Sequence, residues 1–304
     1  MIAAASHGLP LMTPIACRCL LLRATWALAM LAMLAMLALA GCASRAPGLD
    51  INTEFKAVSQ DSRVLFIVLH YTVGSFPSAL KTLTQGPVSS HYLVDRDPPT
   101  VYRLVDESQR AWHAGPSAWQ GLTGLNASSI GIEIVNAGFL DSAQGPYQAY
   151  PDAQIDRVVE LVRDIAQRHR VRPHRIVGHS DIAPQVKQDP GPMFPWRRLH
   201  EAGLVPWPDL AAVATHQAAF ELQLPDAGWF QDKLLAHGFA LARSGEFDTA
   251  TRRVLSAFQM KYRPSRYDGL ADAQTAALLQ VISAPGGLLM FDPATGERRS
   301  YAQP

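Results

Sequence analysis

From Arg63 to His70 the chain runs Val64-Leu65-Phe66-Ile67-Val68-Leu69 with no polar interruption, the pattern of a strand buried on both faces. His91–Val94 and Thr100–Val105 flank the turn Asp95-Arg96-Asp97-Pro98-Pro99 and predict two more strands. Over 129–136 the isoleucines at 130, 132 and 134 alternate with Gly131, Glu133 and Val135, so Glu133 projects from the face opposite the isoleucines. The period then lengthens. Ile155, Val158, Val159, Val162, Ile165 and Ala166 form one stripe of a helix over 152–170. Arg175 to His179 reads as a short last strand. Strands mixed with helices predict an α/β domain over 63–205.

Beyond it the pattern changes. Residues 206–227 read as a proline-bounded, alanine-rich linker. Three helical segments follow, Trp229–His237, Asp248–Tyr262 and Asp272–Ile282, within a small module over 228–282. Asp248 and Asp272 stand at helix starts, where a side-chain oxygen caps free amides for about 1 kcal/mol each. Residues 283–304, rich in Gly, Pro and charge, read as a poorly ordered tail.

The N-terminus follows neither pattern. No acid precedes Asp50, Arg18 and Arg23 come early, and an uncharged run extends from Trp26 to Ala40. That run is short of the roughly 20 apolar residues of a membrane span and has the flanks of a signal-peptide core. It ends in Leu39-Ala40-Gly41-Cys42, which resembles the bacterial lipobox. The resemblance implies a lipoprotein signal peptide over 1–41, lipid on Cys42 and a tether over 42–62. The residue after Cys42 is alanine and not aspartate, which in such lipoproteins favours the outer membrane, facing the periplasm. The stretch before Arg18 is long, so Met12 is an alternative start.

Composition narrows the chemistry. The 304 residues carry a net charge of +1, with 48% apolar and 17% charged residues. This near-neutral balance gives no sign of nucleic-acid binding. Of the three cysteines, Cys17 and Cys19 fall in the signal segment and Cys42 takes lipid, so a metal site must use His, Asp or Glu. His70 and His179 end buried strands, and Asp189 follows in a loop held by Pro184, Pro190 and Pro192. Two imidazoles and a carboxylate suit zinc with a fourth position left for water. Spacing alone leaves hydrogen-bonded structural histidines and a turn aspartate as the alternative.

The strings Leu69-His70-Tyr71-Thr72, Ser89-Ser90-His91-Tyr92, Ala111-Trp112-His113-Ala114-Gly115, Ser129-Ile130-Gly131-Ile132-Glu133 and GHSDIAPQVKQDPGPMFPW at 178–196 occur in order. Together they resemble the N-acetylmuramoyl-L-alanine amidases of the amidase-2 type. The resemblance implies a mixed central sheet flanked by helices, zinc held by His70, His179 and Asp189, and catalytic roles for Glu133 and Lys187. His113 and His91 are left between substrate contact, support of the ligands and simple packing. The implied reaction is hydrolysis of the amide between N-acetylmuramic acid and L-alanine, in wall or in its fragments. Whether the muramic acid is ordinary or 1,6-anhydro stays open. Gly245-Glu246-Phe247-Asp248, Ala257-Phe258-Gln259 and Tyr267-Asp268-Gly269 resemble the three-helix peptidoglycan-binding module. The partners expected are therefore peptidoglycan, muropeptides and a membrane through the lipid, with the chain a monomer. A non-catalytic peptidoglycan receptor on the same scaffold and a cytosolic recycling amidase are the alternatives. Because the candidate chemistry precedes residue 205, loss of residues 226–304 is expected to spare cleavage of small fragments.

Overall fold

The central sheet has the order β3-β2-β6-β1-β7 in a computed structural model that describes residues 49–140 and 145–302. Its strands are β1 (Phe66–Tyr71), β2 (Tyr92–Val94), β3 (Val101–Arg103), β6 (Ser129–Ile134) and β7 (Ile176–Gly178). β1 runs parallel to β6 and β7, β2 runs parallel to β6, and only β3 is antiparallel. The sheet is therefore mixed, as the resemblance implies. Four helices, α1 (Phe76–Gln85), α2 (Asp152–His169), α3 (His179–Ile182) and α4 (Trp196–Glu201), belong to this domain, and β4 (Ala118–Trp119) and β5 (Leu122–Thr123) form a small ribbon beside it. The signal peptide and Cys42 lie outside the described residues. Residues 49–60, within the expected tether, are exposed and carry no helix or strand.

The strand alternation sends two sets of side chains to two cores. Ile67, Leu69, Ile130, Ile132 and Ile134 pack with Ile155, Val158, Val162 and Ile165 of α2. Gln154 anchors that helix by donating to the Val135 carbonyl at 2.9 Å. On the opposite face Phe66, Val68 and Val177 share a core with Phe230, Leu234, Val254 and Phe258. Those residues come from α6 (Ala227–His237) and α7 (Thr249–Tyr262), which with α8 (Ala273–Ile282) make up the C-terminal module. Asp226, Asp248 and Asp272 cap the three helices. The module thus closes one side of the central sheet, and from Asp61 onward the chain is one compact unit.

Two expectations change. The segment read as a linker contains α5 (Leu210–Leu222), packed on α8. The segment read as a poorly ordered tail contains β9 (Leu288–Phe291) and β10 (Arg298–Ser300), which form a second sheet with β8 (Trp207–Pro208). The pairing is non-local: Trp207 faces Leu289 and Pro208 faces Leu288. The Tyr301 hydroxyl then meets His174 Nδ1 at 2.5 Å, fastening the hairpin to the turn before β7. Gly and Pro mark the turns of this hairpin, while Leu288-Leu289-Met290-Phe291 supplies the apolar strand.

Candidate metal centre and active-site cleft

The site lies at the C-terminal ends of the parallel strands. His70 is the penultimate residue of the central strand β1, and the register places Glu133 of β6 directly beside it. His179 opens the short helix α3 (His179–Ile182) immediately after β7. The chain returns to place Asp189 against both: Ser180 donates its backbone amide to the Asp189 carbonyl at 2.8 Å. His70, His179 and Asp189 are all buried, and their ligand-type atoms lie within 4.8 Å of one another. His70 Nδ1 is 2.9 Å from Asp189 Oδ2, His179 Nδ1 is 3.1 Å from the same oxygen, and the two Nδ1 atoms are 3.0 Å apart.

The far sides of both rings fix which nitrogen carries the proton. Ser129 donates its hydroxyl to the Leu125 carbonyl at 2.6 Å, and a carbonyl can only accept. Ser129 Oγ must therefore accept from His113 Nε2, 3.1 Å away. His113 Nδ1 is left as an acceptor for His70 Nε2 at 3.0 Å, so the His70 proton sits on Nε2. His179 Nε2 donates to the Ala114 carbonyl at 3.2 Å. Burial, with help from neighbouring His179, pushes His70 down to about 4, so its ring is neutral at pH 7. Burial pushes His113 down as well. Three lone pairs, two imidazole and one carboxylate, converge on one point with no proton between them.

Glu133 and Lys187 line the same cleft, of about 230 Å³, with Tyr71 and Trp112. Glu133 Oε2 is buried and has no hydrogen-bond partner within the described residues. Burial first, then the Asp189 charge, pushes the Glu133 carboxyl well above its usual range, with Lys187 opposing. His113 also reaches the cleft wall. His91 does not. It is fully buried behind His113, accepts from the Gly131 amide at 3.1 Å through Nδ1 and contacts the Gln109 carbonyl through Nε2. Of the readings left open for His91, substrate contact is the one this placement disfavours.

Gly131 alternates with the isoleucines of β6. A Cβ there would stand 2.4 Å from the His113 ring, so the missing side chain is the space the imidazole occupies. Asp181, inside the string at 178–196, carries a role the sequence did not reveal. Its buried carboxylate accepts from the Gly178 amide at 2.9 Å and pairs with Lys261 of α7 at 2.7 Å. The Lys261 ammonium also sits 4.1 Å from the Trp196 ring centre.

The family model for N-acetylmuramoyl-L-alanine amidases matches residues 60–192, and that for a peptidoglycan-binding domain matches 223–279. The N-acetylmuramoyl-L-alanine amidase AmiD of Escherichia coli K12 is 41% identical over 256 residues, covering 80% of this chain and 92% of its own. The chain belongs to the N-acetylmuramoyl-L-alanine amidases. Solved amidase structures share the fold of this one. AmpDh3 of Pseudomonas aeruginosa, in complex with an anhydromuramic pentapeptide, has a TM-score of 0.71 at 38% identity, covering 77% of this chain and 97% of that one. AmiD of E. coli, in complex with anhydro-N-acetylmuramic acid-L-Ala-D-γ-Glu-L-Lys, has a TM-score of 0.70 at 39% identity, covering 78% and 95%. The amidase has no helix among its described residues long and apolar enough to cross a membrane.

Proposed function

We propose that this amidase is zinc-dependent and cleaves the bond between muramic acid, the 1,6-anhydro form included, and L-alanine during cell-wall turnover. One observation carries the metal: three buried acceptor atoms at 2.9 to 3.1 Å from one another, with the imidazole protons committed elsewhere. Such a cluster repels itself unless a cation fills it. Two nitrogens and one oxygen, with a cleft on the fourth side, suit a catalytic zinc. When bound, zinc supplies Lewis acidity, polarising the amide carbonyl and acidifying a water. His70, His179 and Asp189 hold it. Glu133, on the strand beside His70, takes the proton of the attacking water and returns it to the leaving alanine nitrogen. Its raised proton affinity suits the second half of that task. Lys187 places a positive charge where the carbonyl oxygen becomes negative.

The anhydro assignment is supported by the ligands in the two similar structures. Lipid on Cys42, with outer-membrane attachment, is supported by the lipobox-like sequence, and wall binding by the match to the C-terminal module. Metal analysis joined to turnover of anhydro and ordinary muramyl peptides tests the centre of the reading. The wild type is expected to hold about one zinc. His70→Ala and His179→Ala lose both metal and activity, whereas Glu133→Gln keeps the metal and loses roughly 10²–10⁴-fold in rate. Full turnover in either histidine variant, or metal loss in Glu133→Gln, overturns the assignment.

A further inference from the structure

The Nδ1 faces of His70 and His179 are aimed from behind, and both rear contacts come from one dipeptide. His113 supplies the acceptor for His70 Nε2, and the Ala114 carbonyl supplies the acceptor for His179 Nε2. The backbone amides of His113 and Ala114 both donate to a single atom, Asn126 Oδ1, at 3.0 and 2.7 Å. Asn126 is buried and belongs to the 3-10 turn Leu125–Ala127. The same turn offers the Leu125 carbonyl, where the Ser129–His113–His70 relay ends. One short turn therefore fixes the position of the dipeptide and the polarity of the relay that leads to His70.

We propose that Asn126 is a positioning residue for the metal centre, holding both imidazole ligands with Nδ1 toward the cation by clamping the 113–114 amides. This rests on the zinc reading above. An amide oxygen has two acceptor lobes, and here each takes one N–H. Without it two buried amides lose their partner, the dipeptide shifts, and both rings lose the contacts that set their rotation at once. Groups that orient metal ligands from behind are typically worth about 10–100-fold in affinity or activity. Asn126 stands behind the ligands and is not among the residues lining the cleft, so its effect must pass through them.

Zinc affinity measured by competition with a chelating dye, with cobalt substitution as an optical readout, tests this on the full chain. Asn126→Ala is expected to bind zinc about 10–100-fold more weakly. Its cobalt absorption should be altered, while circular dichroism of the metal-free protein stays that of the wild type. Asn126→Asp, which keeps an oxygen with two acceptor lobes, should restore most of the affinity. If Asn126→Ala does not fold, Asn126→Ser takes its place, since the shorter hydroxyl cannot reach both amides. A folded variant lacking the clamp, with wild-type zinc affinity and cobalt spectrum, overturns the proposal. A wild type that takes up no zinc overturns the metal reading first and this inference with it.

Discussion

Asp181 and Asp189 leave the same stretch of chain after β7, and both carboxylates are buried. Asp181 is neutralised from within: Lys261 reaches it from α7, and Trp196 covers the ammonium. No lysine or arginine is paired with Asp189 among the described residues; it faces two imidazoles and a cleft. An internal cation makes the first carboxylate a structural bolt between sheet domain and module. The lack of one at the second fits the proposed role of Asp189 as a receptor for a cation from outside. Similar burial and the same residue type yield opposite roles, decided by whether the fold brings up a counter-charge.

The comparison is broken most severely by removing the module. Deleting residues 226–304 takes away Lys261 and uncovers Phe66, Val68 and Val177 on the sheet. The truncated chain is expected to be insoluble or molten, against the expectation from sequence that it would still cleave small fragments. A soluble truncation with a sharp melting transition and undiminished cleavage would show that the bolt is dispensable.

Lys261→Met tests the bolt alone. Stranding a buried carboxylate costs about 3–5 kcal/mol, read by urea denaturation. The double variant Asp181→Asn with Lys261→Met should recover most of it, because no uncompensated charge remains. Equal losses in the single and the double variant would mean that the ion pair is not the source.

The other carboxylate sharpens the contrast. Zinc at a thousandfold excess over its Kd should stabilise the folded chain by about 4 kcal/mol, and chelation should remove that gain. A melting temperature indifferent to zinc would return Asp189 to a plain structural role. The smallest effect is that of pH on the metal-free protein. His70 and His174 are held down to about 4, mainly by burial, whereas unfolded histidines titrate near 6.5. Between those values the unfolded chain binds more protons, so stability is full above about pH 6.5 and falls as the pH drops toward 4. Urea midpoints in chelator that do not change across this window would contradict the neutral-imidazole arrangement.

Much of this fold was legible in the chain because it rests on local periodicity. The apolar run into His70, the isoleucine alternation before Glu133 and the helical stripe from Ile155 each predicted their element. The strands β8 and β9 were not legible, since Trp207 and Leu289 recognise each other across distant sequence and neither has an alternating context. The residues brought to the site, His70, His179, Asp189, Glu133 and Lys187, were legible as motif residues. The roles of their supports were not: Ser129 and Gly131 stand in a quoted string and Asn126 in none, but a relay, an empty volume and a pair of backbone amides are not readable from residue type. Lys261 sits in the last turn of α7, where a solvated lysine is the ordinary expectation.

The vacancy at Gly131 has an evolutionary corollary. A single methyl at that position would strike the His113 ring while leaving every candidate ligand and Glu133 in the text of the gene. A descendant with alanine there would keep all five candidate site residues, though its imidazole relay had been displaced. One carbon atom would then separate an active amidase from an inert relative with the same candidate ligands, and a genome reader should inspect the glycine before trusting the histidines.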